Sequence, residues 1–533
     1  MSMPERMTPT MASRRTALRS LSGAAISSGL TGIGGWTGAA EARGRASPSI
    51  VDPIRAFASS FDDFVEARGP LRVRFDRPLP KGLSGTLYRN GPARMQRGVT
   101  RYQHWFDGDG MMQSFRFDAD ADAVVHRGRM IRTRRYEVEE LAGRFLRGGF
   151  GTAFADALPV ASPDEMNVAN IAVLPVADEL LALWEAGSAW RIDPDTLATR
   201  GRKVFSPDTD GLSFSAHPRV DPDGRIWNFG YLGGSGKLAL YDIDRHGRLN
   251  RAALIDAPNA EMVHDFAVTR RFLVFVLMPI TWASVSRDGE RSQASGAGPK
   301  GPGAAFMDRL GWNAAGQVDV LLVDKANLSV AHRFSLPPFF AFHLGNAWED
   351  GETVRVEVVR APAFDRLMQA IVGATTASPE RVVLDQEPVS ELRLDLRRRS
   401  ARIEALPLRG AEFPRFDVRF TGLPTSRLVL ATRSRAMPEA VFGFNAIVSV
   451  DRARARLQQW DYGERVIAEE HVFVPRHGSA EGIGWVVGTS YDWHVQRSRL
   501  SVFDAAQVDA GPIAQAELPY RLPLGLHGQF VAS

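Results

Sequence analysis

Short apolar strands recur along the chain, and each tends to end at an aspartate followed by a polar turn and a second strand. The pattern appears as FRFDADADAVVHRG at Asp118, WRIDPDTLATRG at Asp193, ALYDIDRHGRLNR at Asp244 and VLLVDKANLSVAHRF at Asp324. It returns as LRLDLRRRSARIEAL at Asp395, IVSVDRARARLQQW at Asp451 and LSVFDAAQVDAGP at Asp504. Each reads as a hairpin whose aspartate accepts hydrogen bonds from its own turn backbone. The aspartates are 75, 51, 80, 71, 56 and 53 residues apart. Seven such units over about 400 residues favour the blades of a propeller over a sandwich. The runs IWNFGYL, FLVFVLM, TVRVEVV and IGWVVGTSYDW add further strands. Helical periodicity is scarce. EVEELAGRFLRG and FDRLMQAIVG are short exceptions with apolar faces. Ser286 to Ala305 has the composition of a loop insertion.

Histidines stand out against this pattern. Four of the eleven share a setting: His217 in SFSAHPRVD, His264 in EMVHDFAV, His343 in FFAFHLGNAWED and His527 in PLGLHGQF. Each lies in or after a short apolar run beside a turn or a strand. One buried imidazole is most simply a hydrogen-bonded core residue, but four in similar settings suggest a shared partner, because burying a polar ring is costly unless both nitrogens are satisfied. A metal can take one nitrogen of each ring while a carboxylate or carbonyl holds the other. The separations fit no local metal motif, so such a site would have to be assembled by the tertiary fold. An all-imidazole set suits Fe, Cu, Zn or Ni alike. His126, His246, His332 and His477 sit beside arginine, glycine or turns and read as solvated, whereas His104, His471 and His494 are ambiguous. WFDGDGM carries two aspartates but lacks the rest of a calcium loop, and reads as a glycine turn between strands.

Composition narrows the chemistry. The chain has 533 residues, 44% hydrophobic and 24% charged, which places it among globular proteins. It has no cysteine, which excludes disulfides, thiolate metal sites, iron–sulfur clusters and thiol nucleophiles. The net charge of +4 comes with no basic stripe interleaved with aromatics, so nucleic acid is not an expected partner. The N-terminal SRRTALRSL, a Gly/Ala/Ser-rich run and Ala40-Glu-Ala42 together resemble a cleaved twin-arginine export signal. The expected organisation is a signal over 1–42, an extension over 43–69 and a single propeller over 70–533. Its expected location is periplasmic or exported.

Several segments match one family in order along the chain. They are LPKGLSGTLYRNGPARM, YQHWFDGDGMMQSFRF, ELLALWEAGSAWRIDPDTLATRG, SAHPRVDPDGRIWNFGY, MVHDFAVT, FHLGNAWED, EFPRFD, HVFVPR and PLGLHGQF. On these the chain resembles the carotenoid cleavage oxygenases, a family that includes lignostilbene dioxygenases and retinoid isomerases. The resemblance implies an all-β, seven-bladed propeller with an apolar helical and loop cap. It implies Fe(II) on the axis, held by His217, His264, His343 and His527. It also implies glutamates that orient the ligand rings. Glu412 and Glu470 fall at two of these positions, and the third is expected at Val168 in EMNVANIAV.

The implied reaction is cleavage of an alkene C=C bond by O2 into two carbonyl products, with no nicotinamide or flavin. The first expectation for substrate is a carotenoid or apocarotenoid, whose lipid solubility raises the prospect of peripheral membrane contact. The alternative is a phenolic stilbene, and retinoid-like isomerisation is a lesser one. For a phenolic substrate, Tyr102 matches a substrate-contacting tyrosine, and Arg135 stands where stilbene cleavers carry a lysine. Arginine keeps its charge where lysine can share a proton with a phenol. The competing reading of Arg135 is a surface residue on a strand.

Overall fold

The computed structural model describes residues 53–62, 70–232, 235–282, 305–378, 386–439 and 441–533. The export signal of the sequence reading lies outside these residues, as does the Ser286–Ala305 insertion apart from Ala305. Seven antiparallel sheets form a seven-bladed β-propeller. From the axis outward, blade 2 runs Ala172–Val176, Glu179–Leu183, Trp190–Ile192 and Thr199–Arg202. Blades 3 to 7 repeat this order, with axial strands Arg219–Val220, Phe266–Val268, Phe340–Asp350, Ala411–Arg415 and Val466–Pro475.

Blade 1 closes the ring. Its axial strand is the C-terminal Gly528–Ala532, paired antiparallel with Gly85–Arg89 so that Leu87 faces Phe530. The tail therefore supplies a strand that the N-terminal part of the chain lacks. Closure leaves no open seam between the first blade and the last, which removes an exposed sheet edge.

The seven repeated aspartates mark the blades. Each sits at or just after the end of the third strand, where the chain turns to the fourth. Asp118, Asp193, Asp244, Asp324, Asp395, Asp451 and Asp504 all accept at least one backbone N–H from their own turn. The uneven spacing arises from what joins and interrupts the strands. The longest interval, 244 to 324, contains the hairpin Ile280–Trp282 with Leu310–Trp312 and the residues between them.

Packing follows strand position. Inner strands such as Phe272–Leu277 are buried on both faces, because neighbouring blades cover them. Outer strands such as Leu249–Asp256 alternate between half-buried and exposed. Each fully buried Leu, Val or Phe contributes about 1.5–3 kcal/mol of hydrophobic stabilisation.

Two longer helices cap one end of the ring. Phe364–Thr376 buries Phe364, Leu367, Met368 and Ile371. Arg134–Ala142 starts at Thr133, whose hydroxyl accepts the Tyr136 N–H, and stops at Gly143 with φ of 63°. Its inward face is Arg135, Tyr136 and Glu139, so this helix docks through charge rather than through the apolar face expected of it. Among the described residues no helix is long and apolar enough to cross a membrane. Residues 53–62, assigned to an extension by the sequence, pack onto the propeller. Phe57 and Phe61 are buried beside Trp493, Met437 and Leu524, and Arg521 donates to the carbonyls of Ser60 and Asp62.

Candidate metal centre

The four singled-out histidines come together on the axis. His217 and His264 lie two residues before the axial strands of blades 3 and 4. His343 lies within the axial strand of blade 5, and His527 immediately precedes that of blade 1. Their nearest ring nitrogens all fall within 4.8 Å of one another. His217 Nε2 is 3.0 Å from His264 Nε2, and His343 Nε2 is 3.1 Å from His527 Nε2.

Three carboxylates fix three of these rings from behind. His264 Nδ1 is 2.6 Å from Glu185, His343 Nδ1 is 2.5 Å from Glu412, and His527 Nδ1 is 2.8 Å from Glu470. Glu412 and Glu470 are the two glutamates named from the sequence, and the third is Glu185 rather than a residue at position 168. Val168 is buried, and its carbonyl accepts the Gly110 N–H. The signal for Glu185 was present in LALWEAG, a carboxylate that follows the apolar strand ending at Leu183. His217 has no carboxylate at Nδ1 among the described residues.

These contacts decide what the centre can hold. A carboxylate at Nδ1 draws the proton there and leaves Nε2 as a lone pair. His343 and His527 then aim two lone pairs at each other across 3.1 Å, an arrangement that a cation between them relieves. For a first-row metal, imidazole bonds of about 2.1 Å at right angles place neighbouring nitrogens about 3.0 Å apart, the spacing of the His217–His264 and His343–His527 pairs. Burial and the neighbouring imidazoles hold His217 far below the usual histidine range. Burial also pulls His527 down to about 4, against the opposing pull of Glu470. Burial opposes the cation of His343 too, but the Glu412 carboxylate outweighs it and raises that ring. The donor set thus fits a divalent transition metal.

The local backbone is built for this convergence. The axial strands carrying His343, Glu412 and Glu469–Glu470 all break register at those residues, and such bulges re-aim side chains. Phe413 holds φ of 57°, a costly conformation for a bulky residue, and its N–H bonds Glu412. Its ring packs 5.7 Å from His343 and 5.5 Å from His527. The PLGLHGQF tail needs its first glycine because Gly525 passes against Gly91, where a Cβ would lie 2.6 Å from the Gly525 Cα, and because its own Cβ would overlap Arg89.

A cavity of about 1240 Å³ opens onto three of the histidines, His264, His343 and His527. Phe106, Phe150, Trp184, Phe342 and Phe413 line it. So do Leu367 and Ile371 of the capping helix, the segment Ala157–Pro163, and Phe57 and Phe61 from the N-terminal segment.

Tyr102 and Arg135 lie elsewhere. Both are fully buried, and neither is among the residues lining the cavity. Arg135 is on a helix, not a strand, and donates to the Tyr102 hydroxyl at 2.6 Å. It also donates to the carbonyls of Met166, Arg147 and Gly148. Gly148 lines the cavity, so this pair sits one layer behind the wall.

The remaining histidines divide differently from the sequence reading. His126, read as solvated, is buried between the Tyr520 hydroxyl at 2.7 Å and Gln113 at 2.8 Å. These partners come from a neighbouring strand and from the far end of the chain, which the local sequence does not show. His246 and His477 are exposed and His332 is half-buried; among the ambiguous three, His104 and His471 are buried and His494 is exposed. In WFDGDGM, Asp107 accepts from Gly151 and Thr152, and Asp109 pairs with Arg97.

Comparison with known proteins agrees with this geometry. The model of the retinal pigment epithelial membrane protein family matches residues 64–532. The chain is 29% identical to isoeugenol monooxygenase of Pseudomonas nitroreducens, over 91% of this chain and 98% of that one. It is 28% identical to apocarotenoid-15,15'-oxygenase of Synechocystis, over 85% and 91%. It is 29% identical to lignostilbene-alpha,beta-dioxygenase isozyme III of Sphingomonas paucimobilis, over 86% and 95%. Among solved structures, cobalt-substituted Synechocystis apocarotenoid oxygenase matches with a TM-score of 0.76 at 25% identity, over 90% of this chain and 99% of that one. Relatives named as oxygenases, a family match over most of the chain and four imidazoles on a propeller axis lead to one conclusion: the protein is an oxygenase-type enzyme of the carotenoid cleavage oxygenase family, that of the retinal pigment epithelial membrane protein.

Proposed function

We propose that the protein is a non-haem Fe(II) dioxygenase that cleaves an alkene C=C bond of a carotenoid or apocarotenoid with O2, giving two carbonyl products. The observation that carries this reading is a cluster of four imidazoles, three of which face a large cavity walled mainly by aromatic and aliphatic side chains. His217, His264, His343 and His527 would hold the iron, and Glu185, Glu412 and Glu470 keep three of their rings in the tautomer that presents Nε2. Bound iron would supply O2 activation.

The protein's own part is to bind and to shield. Phe106, Phe150, Phe342 and Phe413 exclude water and hold a flat, apolar alkene beside the centre. The volume of the cavity, above the usual range of small-molecule sites, favours a long isoprenoid chain over a single aromatic ring.

A second reading, a phenolic alkene, is supported by the Tyr102–Arg135 pair directly behind Gly148 and by the isoeugenol and lignostilbene in the names of two relatives. The test is to incubate iron-loaded protein in air with carotenoids, apocarotenals and hydroxystilbenes, and to identify aldehydes by mass. Two carbonyl fragments from an apocarotenoid support the first reading. Aromatic aldehydes alone would replace it with the second, and a rearranged product of unchanged carbon number would point to isomerisation. We also propose that the twin arginines Arg14 and Arg15 direct export. Replacing both with Lys should leave the protein in the cytoplasm; unchanged export would refute this.

A further inference from the structure

Three of the four candidate ligands are joined by a second set of contacts that involves none of their rings. Arg219 follows His217 by two residues, Asp265 directly follows His264, and Leu344 directly follows His343. Arg219 Nη2 reaches both oxygens of Asp265 at 2.7 Å. The same guanidinium donates to the carbonyl of Phe266 through Nε at 2.7 Å and to that of Leu344 at 3.0 Å. Asp265 in turn accepts the N–H of Phe266 at 2.7 Å and that of Leu344 at 2.8 Å. The backbones of Phe266 and Leu344 thus each give a hydrogen to the aspartate and take one from the arginine. This closed ring ties the axial strands of blades 3, 4 and 5 together within two residues of three imidazoles.

We propose that Arg219 and Asp265 are positioning residues that set the spacing of His217, His264 and His343, and through it the metal affinity of the centre. The inference rests on the reading of the four histidines as metal ligands. Its importance is greatest for His217. Among the described residues that ring has no carboxylate behind it, whereas each of the other three does. Its placement depends on the backbone, which is held on one side by the Ser215 hydroxyl accepting the His217 N–H at 3.1 Å and on the other by Arg219.

Charge-assisted bonds of this kind are short and directional, so they fix strand register more firmly than neutral ladder bonds. The axial strand of blade 5 breaks register on both sides of Leu344, so the sheet ladder alone does not define its position there. The fourth ligand has a counterpart. Arg415 bonds both oxygens of Glu470 at 2.8 Å and the Gly528 carbonyl at 2.6 Å, locking the tail around His527.

The test compares Asp265→Asn and Arg219→Lys with a matched control. Asp242 is fully buried in blade 3, where Arg225 and Arg251 donate to it at 2.7 and 2.8 Å, and it touches no ligand-bearing segment. Asp242→Asn therefore removes, from the same blade, an ion pair on an equally buried carboxylate whose arginines are more exposed. Co(II) affinity would be measured on the full chain by competition with a chelating dye, together with the visible spectrum of the bound ion and circular dichroism. Asp265→Asn sets an amide N–H₂ against the guanidinium, and Arg219→Lys keeps the charge but cannot bond both carbonyls. Both should weaken Co(II) binding about 10- to 100-fold and shift the spectrum. Asp242→Asn should stay within about twofold of wild type. If Asp265→Asn fails to fold, the charge-conserving Arg219→Lys decides the outcome. Wild-type affinity and spectrum in Arg219→Lys, or an equal loss in Asp242→Asn, would overturn the proposal. Wild-type protein that takes up no Co(II) at all would instead refute the metal reading, and this inference with it.

Discussion

Glu470 sits 2.8 Å from His527 Nδ1 and, through its other oxygen, 2.7 Å from the N–H of Gly528. One carboxylate thus fixes both the last imidazole and the start of the strand that closes the ring. The nearby guanidinium of Arg415 overcomes the effect of burial and, with His527, holds this acid well below the usual carboxylate range. Glu470→Gln should weaken metal binding about 10- to 100-fold while leaving the sheet content unchanged, read by metal titration and circular dichroism. Truncation before His527 is a different experiment, because it also removes Gly528–Ala532 and leaves the axial edge of Gly85–Arg89 without its partner strand. It should lower the melting temperature sharply as well.

Arg135→Lys separates a structural from a substrate-facing role. The arginine makes five contacts that a lysine cannot all reproduce, to Tyr102, the Glu139 carboxylate and the carbonyls of Met166, Arg147 and Gly148. The substitution should cost about 1–3 kcal/mol of stability in urea unfolding, since buried acceptors lose a donor. A rise in turnover of 4-hydroxystilbenes with no loss of stability would show that this residue reaches substrate.

Phe61→Ala probes the N-terminal segment as cavity wall. Phe61 is 3% exposed, 5.2 Å from Phe57 and 5.7 Å from Trp105. Removing the ring should cost about 3–5 kcal/mol. It should also raise the kcat/KM ratio of long to short substrates about tenfold, by opening the site where the segment now closes it. An unchanged ratio would mean that substrate does not reach this wall.

Asp107 gives a pH signature. Burial raises its carboxyl to about 6, even though Thr152 and Gly151 donate to it. The folded state therefore holds this proton more tightly than the unfolded chain does. The stability Asp107 contributes is complete below 3.8 and is lost as pH rises through about 6. The stability of wild type minus that of Asp107→Asn should fall by up to about 3 kcal/mol across that window and level off above it. A flat difference in urea unfolding across those pH values would contradict the assignment.

Much of this architecture was legible before any coordinates. The seven aspartates were readable because each turn is local, an Asp oxygen bonding a backbone N–H two or three residues on. The four histidines were readable because each interrupts an apolar run, which is unfavourable without a partner. Glu185 was missed because its tie to His264 spans 79 residues and the motif alignment pointed to Val168 instead. His126 was misread because arginine and glycine flank it, while Tyr520, its partner, is 394 residues away. The Arg219–Asp265 ring was invisible for the same reason. HPR and HDF look like ordinary loop sequence until the fold brings blades 3, 4 and 5 side by side. Residues 53–62 were read as part of an extension because so short a segment shows no strand period, although its two phenylalanines supply wall to the cavity.

The central claim is that four distant imidazoles bind one metal ion on the propeller axis, and metal content tests it most directly. After iron loading and desalting, wild-type protein should retain about one iron per chain, and His527→Ala should retain almost none with its β structure intact. Wild-type protein without iron, or His527→Ala with a full complement, would contradict the account.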